Sequence, residues 1–130
     1  MARPTILALN LTDERQSKLR FICMKLGLLM KTVPAEDFHQ PIGALCGLLP
    51  RAEGAAEASF ADELLVFCHM SSMQVNRFLQ TARQMRFAPV ALKAVLTPTN
   101  VNWTAQQLHA ELREERQAIL RGSAASHTEE

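Results

Sequence analysis

Glu63-Leu64-Leu65-Val66-Phe67-Cys68-His69-Met70-Ser71-Ser72 passes within ten residues from an unbroken apolar run to a pair of serines. Apolar side chains on successive positions, rather than alternate ones, belong to a strand covered on both faces. The serines are helix N-cap residues, because a side-chain oxygen there can accept from the otherwise unpartnered N–H groups of the first turn. Val75, Phe78, Leu79, Ala82 and Met85 then recur with the 3.6-residue period of an amphipathic helix. A buried strand leading into such a helix calls for a further strand behind it, and Pro89 to Leu96 supplies one.

Toward the N-terminus, Thr5-Ile6-Leu7-Ala8-Leu9 reads as another doubly buried strand, and Thr12-Asp13 as the start of a helix. Leu19, Ile22, Cys23 and Leu26 fall on one face, and Gly27 stands where a C-cap needs positive φ. Leu28 to Val33 is a short strand ended by Pro34. Pro41 suits a first helical turn, with Ile42, Leu45 and Leu49 on one face, but Gly43 and Gly47 weaken that helix. Beyond Leu96, Thr104-x-x-Gln107 fits a capping box. It opens a last helix with Leu108, Leu112 and Ile119 inward and Gly122 at its end.

Strands alternating with helices predict an α/β fold: a small, open, mainly parallel four-stranded sheet with helices packed on it, receiver-like or flavodoxin-like in style. A ferredoxin-like α+β sandwich with an extra C-terminal helix is the competing architecture, if residues 35 to 60 are only a long connection. One globular domain is expected over residues 1–122, with a variable linker at 50–60 and a disordered tail at 123–130.

The segment Ala91-Leu92-Lys93-Ala94-Val95-Leu96-Thr97-Pro98-Thr99-Asn100-Val101-Asn102-Trp103 runs from strand to polar turn to a tryptophan ahead of the last helix. It resembles a bacterial domain family of unknown function whose members carry a similar KAVLTPTN…W run. The resemblance covers roughly residues 5 to 120 and is weakest at 34 to 62. It implies an uncharacterised domain and transfers no catalytic residue.

Chemistry in an open parallel sheet gathers beyond the strand ends, near helix N-termini. Lys93, Thr97, Thr99, Asn100 and Trp103 are therefore the candidate ligand-binding residues. Lys93 lies within an apolar run. There an ammonium either finds a partner or water, or loses its proton and becomes a nucleophile. Thr97, Thr99 and Asn100 have enough local hydrogen-bonding capacity to shape a turn by themselves. Trp103 precedes the cap and Leu108 follows it at the spacing of a hydrophobic staple.

Cys68-His69 invites a thiolate or a metal, yet neighbours on a strand point to opposite faces, which separates His69 from Cys68. Cys23, Cys46, Cys68, His39 and His69 offer metal-binding atoms without the close pairs of a zinc site. No metal and no cofactor are expected. Neither a phosphate-binding glycine loop nor a zinc-protease or nucleophile-elbow motif is present. Asn10 stands where a receiver-type acidic pair would begin, which argues against a phosphoacceptor.

Fourteen basic and thirteen acidic residues give a formal net charge of +1, and the basic ones are scattered over helix faces. That pattern offers no electrostatic case for nucleic acid. No apolar run reaches the length of a membrane span or a signal segment, and three cysteines without a disulfide spacing suit a reducing, cytoplasmic setting. The expectation is a non-enzymatic binding or regulatory module, able to form a homodimer or take a protein partner. The alternative is a small-molecule or anion-binding protein, an enzyme included, with its site at the Thr97–Asn102 turn.

Overall fold

A computed structural model describes residues 3–56 and 59–129, with side chains described as far as Arg121. Four strands, β1 (Thr5–Leu9), β2 (Leu29–Val33), β3 (Leu64–Cys68) and β4 (Leu92–Val95), form one sheet in the order β2-β1-β3-β4. The pairs β1/β2 and β3/β4 are parallel, and the central pair β1/β3 is antiparallel. The sheet is thus open, mixed and mostly parallel, with helices on it. In a ferredoxin-like sandwich a third strand would separate the two of each crossover unit; here they are adjacent.

Four α-helices accompany the strands: α1 (Asp13–Leu26), the one-turn α2 (Ile42–Leu45), α3 (Ser72–Gln84) and α4 (Ala105–Glu129). Single 3-10 turns at Ala35–Asp37 and Asn100–Asn102 precede α2 and α4. Helices α1 and α3 cover one face, where Ile6, Ala8, Leu65 and Phe67 meet Leu19, Ile22, Cys23, Phe78 and Ala82. On the other face Leu7, Leu9, Leu64, Val66 and Cys68 meet Phe38, Ile42, Leu45, Ala105 and Leu108. Covering both faces explains why every residue of β1 and β3 is buried.

The chain builds its βαβ unit twice. Thr12 and Ser71 cap the two crossover helices, Asn10 and His69 take positive φ just after the preceding strands, and Gly27 and Arg86 do so after the helices. Each pair is 59 positions apart. Both helices end alike: Leu28 N–H donates to Cys23 O at 2.8 Å, and Phe87 N–H to Ala82 O at 2.8 Å. Each unit buries a helix on the same face, which sets α1 beside α3.

Several boundaries differ from the sequence reading. Pro89 to Ala91 stay outside β4, since proline has no N–H for the ladder. Ile119 is not inward: it is 67% exposed, because α4 has by then passed beyond the core. The helix also continues through Gly122 to Glu129. For the expected tail at 123–130, the side chains and Glu130 itself lie outside the described residues. Gly43 in α2 is demanded by packing, because a Cβ there would stand 2.7 Å from Val101 Cγ2 and 2.8 Å from Leu49 Cδ1.

Candidate functional site

The turn after β4 is closed on itself. Asn100 Oδ1 accepts from Thr97 N–H at 2.8 Å, and Asn100 N–H donates to Thr97 Oγ1 at 3.0 Å. The Asn100 amide Nδ2 donates back to Val95 O at 3.0 Å. Asn100 is buried, and these bonds satisfy its amide and its backbone N–H within the chain. A depression of about 350 Å³ lies against this turn, lined by Lys93, Thr97, Asn100 and Trp103 together with Glu111 and Glu115 of α4. Thr99 is exposed and does not line it.

The ammonium of Lys93 is elsewhere. Leu92, Ala94 and Leu96 belong to the face shared with α4, so alternation sends the Lys93 side chain to the α3 side. There its Nζ donates to Val90 O, at the opposite end of β4 from the turn. Its stem borders an apolar depression of about 450 Å³ between α3 and β4, lined by Phe78, Leu79, Phe87 and Val90 and rimmed by Arg83 and Arg86. Since β4 is an edge strand, Lys93 reaches a partner without a fully buried charge.

The start of α4 is already occupied. Ala105 N–H donates to Gln40 O and Gln106 N–H to Phe38 O, both at 3.3 Å. Thr104 and Gln107 form the reciprocal capping box at 2.9 and 3.1 Å. Trp103 carries this junction: its carbonyl accepts from Ile42 N–H at 2.8 Å, and its half-buried ring packs on the core that includes Leu108. The first turn of α4 therefore points its donors at the α2 segment rather than at an open cavity.

Sequence reasoning passed over His109, although Ala105, Leu108, His109 and Leu112 form one inward stripe. The imidazole stacks on Phe60, which stacks in turn on Phe38. His109 Nε2 meets Asp62 Oδ2 at 2.8 Å, and Arg113 lies 4.0 Å from the same oxygen. The hydrogen bond from His109 holds the Asp62 carboxyl below its usual range. Nearby, Arg15 grips Glu63 with two nitrogens, donates to Ala88 O at 2.8 Å, and lies 4.3 Å over the Phe87 ring.

Asp62, Glu63 and Arg113 line the first of three neighbouring depressions that make a channel along the outer edge of β4. The first, of about 440 Å³ at Asp62, Glu63, Arg113 and Arg116, shares Ala91 and Leu120 with one of about 220 Å³ at Lys93, Leu112 and Ile119, which shares Lys93 and Leu112 with the one beside Trp103. Ala91 to Val95 make one wall and α4 the other. Leu96 N–H donates to Phe67 O across the β3/β4 pair, so alternation turns the amides of Lys93 and Val95 outward, to the open edge. Ile119 and Leu120 overhang it, 67% and 60% exposed.

Cys46, at the C-terminal end of α2, packs against the core face that holds Cys68. No group of three or more metal-ligating side chains with metal-binding geometry occurs among the described residues.

Residues 63–119, spanning β3 to most of α4, match the model of a family described as a domain of unknown function, DUF3783. No curated protein matches the chain, and no solved structure does.

Proposed function

We propose that this domain is a non-enzymatic interaction module that pairs with a second copy of itself across the β4–α4 edge. The observation that carries this reading is the channel between the outward amides of β4 and the overhanging apolar side chains of α4. Backbone groups at an open edge are a template for another strand, and pockets beside them select its side chains. The channel walls carry Glu111 and Glu115 beside Arg113 and Arg116. A twofold arrangement presents the same surface from both sides, so mixed charges of this kind can complement themselves. A net charge of +1 sets up little long-range repulsion between copies.

The anion-binding reading has less to work with. The amides of Ala105 and Gln106 and both ends of the Asn100 side chain are engaged within the chain, and Glu111 and Glu115 line the same depression.

Sedimentation equilibrium across a hundredfold range of concentration tests the module reading. A concentration-dependent dimer is expected, lost in Ile119→Glu with Leu120→Lys while the circular dichroism spectrum is kept. A monomer throughout, combined with saturable heat on titrating inorganic phosphate, would move the function to the turn.

A further inference from the structure

Arg86 takes positive φ, 58°, in the turn after α3, where the matching position of the first βαβ unit holds Gly27. Glycine adopts that conformation without strain, and an arginine adopts it against the clash of its own Cβ. Local stability therefore does not explain the arginine. The turn around it is held from α1: Lys18 Nζ donates to Arg86 O at 3.3 Å, and Arg15 Nη2 donates to Ala88 O at 2.8 Å.

At this turn Arg86 stands on the rim of the apolar depression between α3 and β4. The first unit has a depression in the equivalent place, of about 340 Å³ against about 450 Å³. There Met24 and Gly27 occupy the positions of Arg83 and Arg86, and Arg20 that of Leu79. β2 begins two residues after Gly27, whereas β4 begins six residues after Arg86. Residues 88–91 are thus a loop where the first unit is already a strand, and Ala88, Pro89 and Val90 form one wall of the cavity.

The two ends of this cavity differ in chemistry. Phe78, Phe87 and Val90 are buried in its lining, with half-buried Leu79 beside them. Arg83 and Arg86 are exposed at the rim, and neither is in an ion pair among the described residues. Lys93 Nζ spends one donor on Val90 O and keeps two. No carboxylate lines the cavity, while Asp or Glu side chains line each of the three depressions along the β4–α4 edge. Planar guanidinium forks beside an apolar wall match a molecule with a carboxylate at one end and hydrocarbon behind it.

We propose that this cavity binds a medium-chain carboxylate, with its chain against Phe78, Leu79 and Phe87 and its carboxylate held by Arg83 and Arg86. At roughly 30 Å³ for each water-sized group, the space holds about ten to fifteen non-hydrogen atoms, those of an acid of about eight to twelve carbons. The site is on the α3 side of β4 and does not depend on self-association across the β4–α4 edge.

The test is titration calorimetry of the full chain with sodium decanoate kept below its micellar range. One molecule should bind per chain, and octanoate, shorter by two methylenes, should bind about tenfold more weakly. The uncharged 1-octanol should bind at least about tenfold more weakly than octanoate, because it gives the guanidinium groups no charge to pair. Arg83→Gln with Arg86→Gly should weaken decanoate at least roughly tenfold. Arg86→Gly alone should raise the unfolding midpoint of the ligand-free chain by relieving the positive φ, an effect that a structural arginine would reverse. Ile119→Glu with Leu120→Lys, on the other side of β4, should leave the affinity unchanged. No saturable heat with decanoate, 1-octanol as tight as octanoate, an unchanged affinity in the double arginine variant, or a lowered midpoint in Arg86→Gly would each overturn the proposal. So would loss of decanoate binding in the Ile119 and Leu120 variant, which would put the ligand in the β4–α4 channel.

Discussion

The imidazole of His109 lies flat on the ring of Phe60, centroids 3.8 Å apart and 4° from parallel. Phe60 belongs to the connection before β3 and His109 to α4, so one stack and one hydrogen bond to Asp62 tie that connection to the last helix. His109→Ala removes both and should lower stability by about 1–3 kcal/mol. The connection should also become more open to protease. Unchanged thermal unfolding and an unchanged digestion pattern would show that the stack contributes nothing.

Asn100 uses its acceptor on Thr97 N–H and its donor on Val95 O. Asn100→Ala removes both bonds from a partly buried turn, a loss of about 1–2 kcal/mol. Asn100→Asp should not recover it, because a carboxylate keeps the acceptor but faces the Val95 carbonyl without a donor. Chemical denaturation of the two variants checks this, and an Asp variant as stable as the parent would contradict it.

Trp103 is the only tryptophan, and it sits at the junction of the α2 segment with α4. Its fluorescence should change in the same transition as far-UV circular dichroism, because the junction joins two parts of one core. Trp103→Ala should lower stability by about 2–4 kcal/mol, somewhat under the figure for a fully buried aromatic. An unmoved denaturation midpoint would leave the ring with no part in packing.

Burial pushes the Cys23 thiol up to about 12, from about 9 in an exposed thiol. The unfolded chain therefore loses this proton at lower pH than the folded one. The stability it contributes is full below about pH 9 and falls as pH rises toward 12. Urea midpoints should drop between pH 8 and pH 10.5, and the drop should be shallower in Cys23→Ala. Equal slopes for the two proteins would refute the assignment.

The site was less legible in the sequence than the fold. The capping box at Thr104 and Gln107 and the αL cap at Gly27 are local hydrogen-bond chemistry, and both are where their residues place them. The turn of His69 out of the strand was not legible, because a rule about strand neighbours fails one residue past the strand, where φ turns positive. Lys93 and Asn100 share a depression, but their polar ends bond the carbonyls of Val90 and Val95, and sequence spacing carries no information about that choice.

The sequence by itself determined the elements: two doubly buried strands, the capped amphipathic helices behind them, and the turns between. These follow from which side chains are apolar, at what period, and which residues can cap or take positive φ, all interactions within a few positions along the chain. Only the tertiary structure decided that the βαβ units meet through an antiparallel β1/β3 pair. That pairing lets both units bury a helix on one face while the chain between them crosses the other. It also brings Trp103 to the α2 segment and His109 to Phe60. Contacts over such separations depend on how sheet and helices close on one another to exclude water, which is a property of the whole packed chain and of no segment in it.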